Sequence, residues 1–176
     1  PALPEPGLWP WVDVLANALV LEGRHEAADD LLRRYEIRSA ERGHRSSAAR
    51  MKYARGRHLG ATGDIHGARR TFEEGIELLD GLGLRYDQAR VNFAYGQTLR
   101  RAGKRRAADA VIGTARDLYL SLGATTYVER CERELKAGGL ATSRGENHTA
   151  TKGAAELTSQ EEAVTALVAR GLSNRE

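Results

Sequence analysis

The chain has few of the residues that build β-rich, disulfide-linked or membrane-spanning proteins. Aromatic residues are only 6% of its 176 residues, which argues against a β-sandwich or barrel. The single cysteine, Cys131, excludes an intrachain disulfide and favours a reducing compartment. The longest apolar stretch, Val14 to Leu21, contains Asn17 and falls well short of the roughly 20 residues that cross a bilayer. We therefore expect a cytoplasmic protein with no membrane partner.

Catalytic and cofactor-binding motifs are also lacking. No phosphate-binding G-x-x-x-x-G-K-[ST] loop, dinucleotide-binding G-x-G-x-x-G or nucleophilic G-x-S-x-G sequence occurs. His25-Glu26 begins like the metal motif H-E-x-x-H, but Asp29 holds the place of the second histidine. His58 and His66 fall on two helices of one predicted hairpin and are more simply surface residues near its turn than metal ligands. We predict that the chain is not an enzyme and has no catalytic, cofactor-binding or metal-binding residues.

The abundant residues are alanine, leucine, arginine and glutamate, which is the composition of packed helices. The 27 basic and 24 acidic residues leave a formal net charge of +3. Because the basic residues are spread along the chain, charge alone is a weak indication of nucleic-acid binding. The composition predicts an all-α protein.

Glycines recur at a fixed spacing and divide the chain into helical segments. Gly23, Gly63 and Gly103 lie forty residues apart, and a second series with the same spacing falls midway between them. Because glycine enters the left-handed region without strain, we expect these residues to end helices. The second series is Gly43, Gly83 and Gly123. The predicted helix pairs are 9–22 with 24–42, 45–62 with 64–82, and 85–102 with 104–122, and a seventh helix covers 125–137.

The same register carries small and large packing residues, which predicts close contact between the two helices of each pair. It resembles the pattern of tetratricopeptide-like repeats, although the usual repeat is about 34 residues long. The resemblance implies an all-α, tetratricopeptide-like helical-hairpin solenoid with 40-residue repeats over residues 1–137. The small residues are Ala16, Gly56 and Gly96 on the first helices and Ala28, Ala68 and Ala108 on the second, and the large ones are Leu32, Phe72 and Ile112, with Leu19, Leu59 and Leu99.

In tetratricopeptide-like stacks the first helix of each pair lines a concave groove, so residues forty apart would stand side by side on its wall. Arginines, an amide and two aromatic residues fall in this register. Arginine forks suit carboxylate or phosphate groups, and aromatic rings offer a stacking surface. We predict a groove that binds an anionic or peptide effector or a protein; the alternative is that these arginines pair with acidic neighbours or extend into solvent. The candidate ligand-binding residues are Arg50, Tyr53, Arg57, Arg90, Phe93, Gln97 and Arg130.

The C-terminal residues differ in character from the rest. Residues 138–156 lack an apolar period and are rich in glycine, serine and threonine, so they are predicted to be a flexible linker. Residues 157–176 contain two S/T-x-x-E capping boxes, fifteen residues apart, around an apolar face and a glycine stop. This segment resembles the start of a LuxR-type helix-turn-helix, truncated before the helix that reads DNA. The resemblance rests on Thr158, Glu161, Val164, Leu167, Val168, Gly171, Leu172, Ser173, Asn174, Arg175 and Glu176.

Taken together, the chain resembles the C-terminal part of a large, MalT-like bacterial LuxR-type transcriptional regulator. The resemblance implies a helical-repeat module that senses an effector or partner and signals to a C-terminal DNA-binding head. DNA would be bound by the complete parent protein and not by this fragment, and any ATP site would lie in an upstream domain of the parent. A homo-oligomer is also compatible with the family. The alternative is a free-standing tetratricopeptide-like protein-interaction scaffold with a basic concave groove.

Overall fold

The computed structural model describes the backbone of residues 11–146 and the side chains of residues 11–137. This part of the chain is all-α, as predicted: it contains seven helices and no strand. The helices are α1 (Trp11–Leu21), α2 (His25–Glu41), α3 (Arg45–Thr62), α4 (Ile65–Leu79), α5 (Arg85–Arg101), α6 (Arg105–Ser121) and α7 (Thr125–Glu146).

The chain divides into two compact units, Pro1–Ala141 and Thr142–Glu176. Of the second unit, only the C-terminal end of α7 lies within the described residues. The predicted helix-turn-helix segment 157–176 and the second half of the predicted linker therefore lie outside them. Among the described residues, no helix is both long enough and apolar enough to cross a membrane.

A glycine of the predicted series follows the end of each helix from α1 to α6. All six glycines of the two predicted series have positive φ, between 65° and 92°. At the end of α3, Gly63 has φ of 92° and its N–H donates to the carbonyl oxygen of Leu59, which closes the last turn. A residue with a Cβ would be strained there, because the left-handed region is open mainly to glycine.

Small residues let the paired helices approach closely, as predicted. A Cβ atom placed on Gly96 of α5 would lie 2.3 Å from Cγ1 of Ile112 on α6, and one on Gly56 of α3 would lie 2.7 Å from the ring of Phe72 on α4. Both large residues are fully buried. The same packing therefore recurs in the α3–α4 and α5–α6 pairs.

Contacts between helices follow chain order. Each helix from α1 to α5 packs against the next one, and α3 also contacts both α1 and α5. Side chains of α7 reach α5, since Glu134 accepts hydrogen bonds from Gln97 and Arg100. One continuous apolar core joins residues of α1 to α7. The odd-numbered helices thus bring together the side chains of the candidate site.

Two helix ends differ from the prediction. Helix α4 ends at Leu79 instead of residue 82, because Asp80 is extended and both Gly81 and Gly83 have positive φ. Helix α7 continues to Glu146 instead of ending at residue 137. Glycines cost a helix only about 1 kcal/mol each, and no proline follows them to stop it.

Candidate functional site

Five of the seven candidate residues line one pocket. Tyr53, Arg57, Arg90, Phe93 and Arg130 surround a space of about 190 Å³ between α3, α5, α6 and α7. The residues come from helices that are distant in sequence but adjacent in the fold. The forty-residue register therefore identified side chains that the fold brings together.

Arg90 lies at the centre of a charge cluster. Its guanidinium donates to the carboxylate of Asp13 at 3.0 Å and lies 3.6 Å from that of Asp87. Asp87 is also paired with Arg50, at 3.3 Å. Two arginines and two carboxylates thus balance each other, and the predicted alternative of pairing with acidic neighbours holds for Arg50 and Arg90.

Arg90 also packs on aromatic rings. Its guanidinium carbon lies 4.5 Å from the ring centre of Tyr53 and 6.0 Å from that of Tyr86. Burial lowers the pKa of Arg90, but the contacts with Tyr53 and Asp13 outweigh burial and raise it above its ordinary value. Arg90 therefore stays charged and holds α1, α3 and α5 together.

The other two pocket arginines are not neutralised in this way. Neither Arg57 nor Arg130 forms an ion pair with another described residue. The Nε atom of Arg57 is buried and has no hydrogen-bond partner. Arg130 lies over the ring of Phe93, with its guanidinium carbon 4.9 Å from the ring centre, and its side chain is exposed. Both keep hydrogen-bond donors for a bound group.

A tyrosine cluster completes the pocket, and sequence reasoning missed it. Tyr119 and Tyr127 are stacked with ring centres 4.9 Å apart, and Tyr86 meets both of them edge-on. The hydroxyl of Tyr86 donates to that of Tyr127 at 3.1 Å. Burial raises the pKa of Tyr119, so its hydroxyl stays protonated. The forty-residue register did not identify these residues, because no tyrosine lies forty residues before or after any of them.

Asp13 was also missed, although a signal for it existed. It lies forty residues before Tyr53, which itself lies forty before Phe93, so the register that selected the two aromatic residues includes Asp13. Its carboxylate is 1% exposed and reaches Arg90 from two helix pairs away. Extending the comparison toward the N-terminus would have placed Asp13 beside Tyr53 and Phe93.

Arg50 and Gln97 are placed beside the pocket and do not line it. Arg50 flanks the adjoining cleft with Asp87. Gln97 donates to Glu134 of α7 at 3.0 Å and, with Arg57 and Arg101, lines a second cleft of about 160 Å³. Their predicted role in ligand binding stays a prediction.

His66 is exposed, as predicted for a residue near the turn, whereas His58 is buried instead of lying at the surface. His58 is 8% exposed and its ring centre lies 5.8 Å from that of His25, with Nε2 3.1 Å from the carbonyl oxygen of His25. Burial lowers the pKa of His58, and the nearby charge of Arg55 lowers it further. Within residues 11–137, no group of three histidine, cysteine or acidic side chains is placed to hold a metal ion.

The predicted helix-turn-helix residues, from Thr158 to Glu176, lie outside the described residues. Comparison of the chain with protein-family models, with curated proteins and with solved structures gave no match.

Proposed function

We propose that this chain is the sensing module of a LuxR-type transcriptional regulator and that an effector binds in the pocket between α3, α5, α6 and α7. The observation that carries the proposal is the pair of arginines, Arg57 and Arg130, which line an aromatic pocket without carboxylate partners among the described residues. Guanidinium groups without a carboxylate partner keep hydrogen-bond donors that an anionic ligand can use. The effector is anionic, either a small molecule or a segment of a partner protein.

The fold proposed for this module is a tetratricopeptide-like solenoid with 40-residue repeats. The recurring contact of a helix glycine with a large residue on the next helix supports it, in Gly56 with Phe72 and in Gly96 with Ile112. The turn glycines at matched positions support it as well. In such a stack each pair of helices rests on the next, so a ligand that bridges several pairs stiffens the array.

Helix α7 is the proposed route from the pocket to the tail. It contributes Tyr127 and Arg130 to the pocket and continues to Glu146. An effector held by these residues acts directly on the helix that precedes the segment resembling a helix-turn-helix. In this proposal DNA is bound by a complete helix-turn-helix head of the parent protein, through the helix that reads base edges. ATP, if the parent uses it, belongs to another domain.

Selection from random DNA duplexes tests the regulator proposal. The chain continued through a complete helix-turn-helix is expected to enrich a specific sequence, and its binding measured by fluorescence anisotropy is expected to weaken steeply between low and moderate salt. The 176-residue chain is the matched control and is expected to enrich none. Failure of the continued chain to enrich any sequence contradicts the proposal.

The second candidate is a free-standing protein-interaction scaffold that uses the same pocket and has no role in DNA binding. It is favoured by the pocket lying wholly within the unit Pro1–Ala141. The two candidates differ in the same selection experiment, because a scaffold enriches no sequence in either form of the chain.

A further inference from the structure

We infer that the pocket binds a small aromatic carboxylate, with its ring among the pocket's aromatic side chains and its carboxylate held by Arg57 and Arg130. This inference rests on the proposed function, since it names the chemical class of the effector. Three features of the pocket lead to it: its charge balance, its rings and its size.

The charge balance calls for an anion. Arg50 and Arg90 are offset by Asp13 and Asp87, so they add no net charge to the pocket. Arg57 and Arg130 bring the uncompensated positive charge. A carboxylate accepts hydrogen bonds from guanidinium groups in its own plane, which makes arginine its preferred partner.

The rings call for an aromatic body. Tyr86, Phe93, Tyr119 and Tyr127 line the pocket with Tyr53. Aromatic pairs gain about 0.5–1.5 kcal/mol beyond their burial when they meet offset or edge-on. The stacked and edge-on tyrosines already adopt these geometries with one another. A simple inorganic anion would leave this surface unused.

The size calls for a single ring. A cavity of about 150 Å³ holds a benzene molecule. The pocket, at about 190 Å³, has room for one ring and a carboxyl group.

The tyrosine hydroxyls supply a further donor. The Tyr86 hydroxyl donates a hydrogen bond to the oxygen of Tyr127, which leaves the Tyr127 hydroxyl free to donate to another group. A carboxylate accepts a charge-assisted hydrogen bond from that hydroxyl, while a neutral alcohol of the same shape forms a weaker one. Tyr127 thus adds to the preference for an anion.

Titration of the 176-residue chain with benzoate, followed by chemical-shift changes of backbone amides, tests the inference. We expect saturable shifts centred on Tyr53, Phe93 and Tyr127, with a dissociation constant on the order of 1 mM for so small a probe. Benzyl alcohol, acetate and inorganic phosphate are expected to bind at least tenfold more weakly. Equal binding of benzyl alcohol, equal binding of acetate or phosphate, or an absence of saturable shifts with benzoate overturns the inference.

Variants that remove one positive charge identify the arginines that bind the carboxylate. Arg57→Gln and Arg130→Gln are each expected to weaken benzoate binding about tenfold, since each removes one charge-assisted contact. Arg106→Gln, on the exposed surface of α6, makes the same charge change away from the pocket and is expected to leave binding unchanged. Because Arg130 is exposed, its variant is expected to fold, which a matching circular dichroism melt would verify. Equal weakening in all three variants overturns the inference in favour of general electrostatic attraction.

The two proposals fail separately. If benzoate does not bind but the continued chain enriches a DNA sequence, the inference of an aromatic carboxylate is contradicted and the regulator proposal stands. If benzoate binds as expected but no sequence is enriched, the inference about the pocket stands and the regulator proposal is contradicted.

Discussion

Asp13 and Arg90 lie 77 residues apart in the chain and form an ion pair beside the pocket. The Asp13 carboxylate is 1% exposed, and its Oδ1 atom has no hydrogen-bond partner, so Arg90 carries most of the compensation for its burial. Breaking a buried pair is costly because it leaves an isolated charge in a poorly solvated place. The pair therefore joins α1 to α5 and fixes the position of one wall of the pocket.

Replacing Asp13 by asparagine is expected to lower the free energy of unfolding by about 2–3 kcal/mol, since it leaves the half-buried Arg90 with Asp87 alone. Urea denaturation measures the change. Glu22→Gln is the control, because Glu22 is exposed and lies 3.7 Å from the exposed Arg24. The control is expected to change stability little. Equal effects of the two variants contradict the assigned role of the buried pair.

His58 gives the fold a pH dependence. Its Nε2 proton is donated to the carbonyl oxygen of His25, and its Nδ1 atom is buried without a partner. A second proton on the ring would sit on Nδ1, in a place where burial and Arg55 both disfavour charge. The folded pKa therefore lies below the unfolded value of about 6.5. Between these two values the unfolded chain binds more protons, so stability falls as pH falls.

We expect the free energy of unfolding to decrease between pH 7.5 and pH 5, starting as the pH falls through about 6.5. His58→Gln keeps a donor for the carbonyl oxygen of His25 and is expected to flatten this part of the profile. His66→Gln, at an exposed position on α4, is expected to keep it. Urea denaturation at several pH values gives the three profiles. A His58→Gln profile as steep as that of the unchanged chain contradicts the assignment.

At the scale of single helices, α2, α4 and α6 begin forty residues apart but differ in whether a side chain caps the first turn. The N-cap residues are Arg24, Asp64 and Lys104. Only the middle one of these caps its helix through its side chain, since Asp64 Oδ1 accepts from the N–H of Gly67 at 2.8 Å. Such a cap satisfies a backbone donor that the helix leaves unpaired.

Asp64→Ala is therefore expected to destabilise the fold by about 1 kcal/mol. Lys104→Ala is the matched variant at the equivalent start of α6, where no side-chain cap exists, and is expected to have little effect. Thermal denaturation of both compares them directly. A larger loss in Lys104→Ala than in Asp64→Ala would contradict the description of these helix starts.

Two glycines in the middle of helices, Gly96 and Gly113, differ in the space around them. A Cβ on Gly96 would overlap Ile112, whereas one on Gly113 would meet nothing within 4 Å. Gly96→Ala is expected to destabilise the fold by about 1–3 kcal/mol through overpacking. Gly113→Ala is expected to stabilise it by about 0.5–1 kcal/mol, because alanine favours the helix. Urea denaturation gives both values, and the same sign for the two variants contradicts the packing described for α5 and α6.

The sequence predicted those features that repeat. The turn glycines and the pairs of small and large residues recur at a fixed offset, so a comparison of the chain with itself finds them. The tyrosines of the pocket could not be found in this way, because Tyr86, Tyr119 and Tyr127 have no tyrosine forty residues before or after them. The extension of α7 was missed for a different reason: the composition of residues 138–146 suggested a linker, but nothing in it prevents a helix from continuing.

For the whole molecule, the pocket and the tail are joined by covalent continuity through α7. Coupling between two sites is a free energy that is equal in both directions. If the pocket is the sensing site, its ligand changes the affinity for DNA, and DNA changes the affinity for the ligand by the same factor. This reciprocity separates a sensing module from a domain that merely sits beside a DNA-binding head.

The most direct test is the affinity of the continued chain for its selected DNA, measured by fluorescence anisotropy with and without saturating benzoate. We predict a change of at least about fivefold, the lower end of typical coupling. The same change should be absent in the Arg130→Gln variant at a benzoate concentration that saturates only the unchanged chain. An affinity for DNA that stays constant while benzoate fills the pocket would contradict the sensing role.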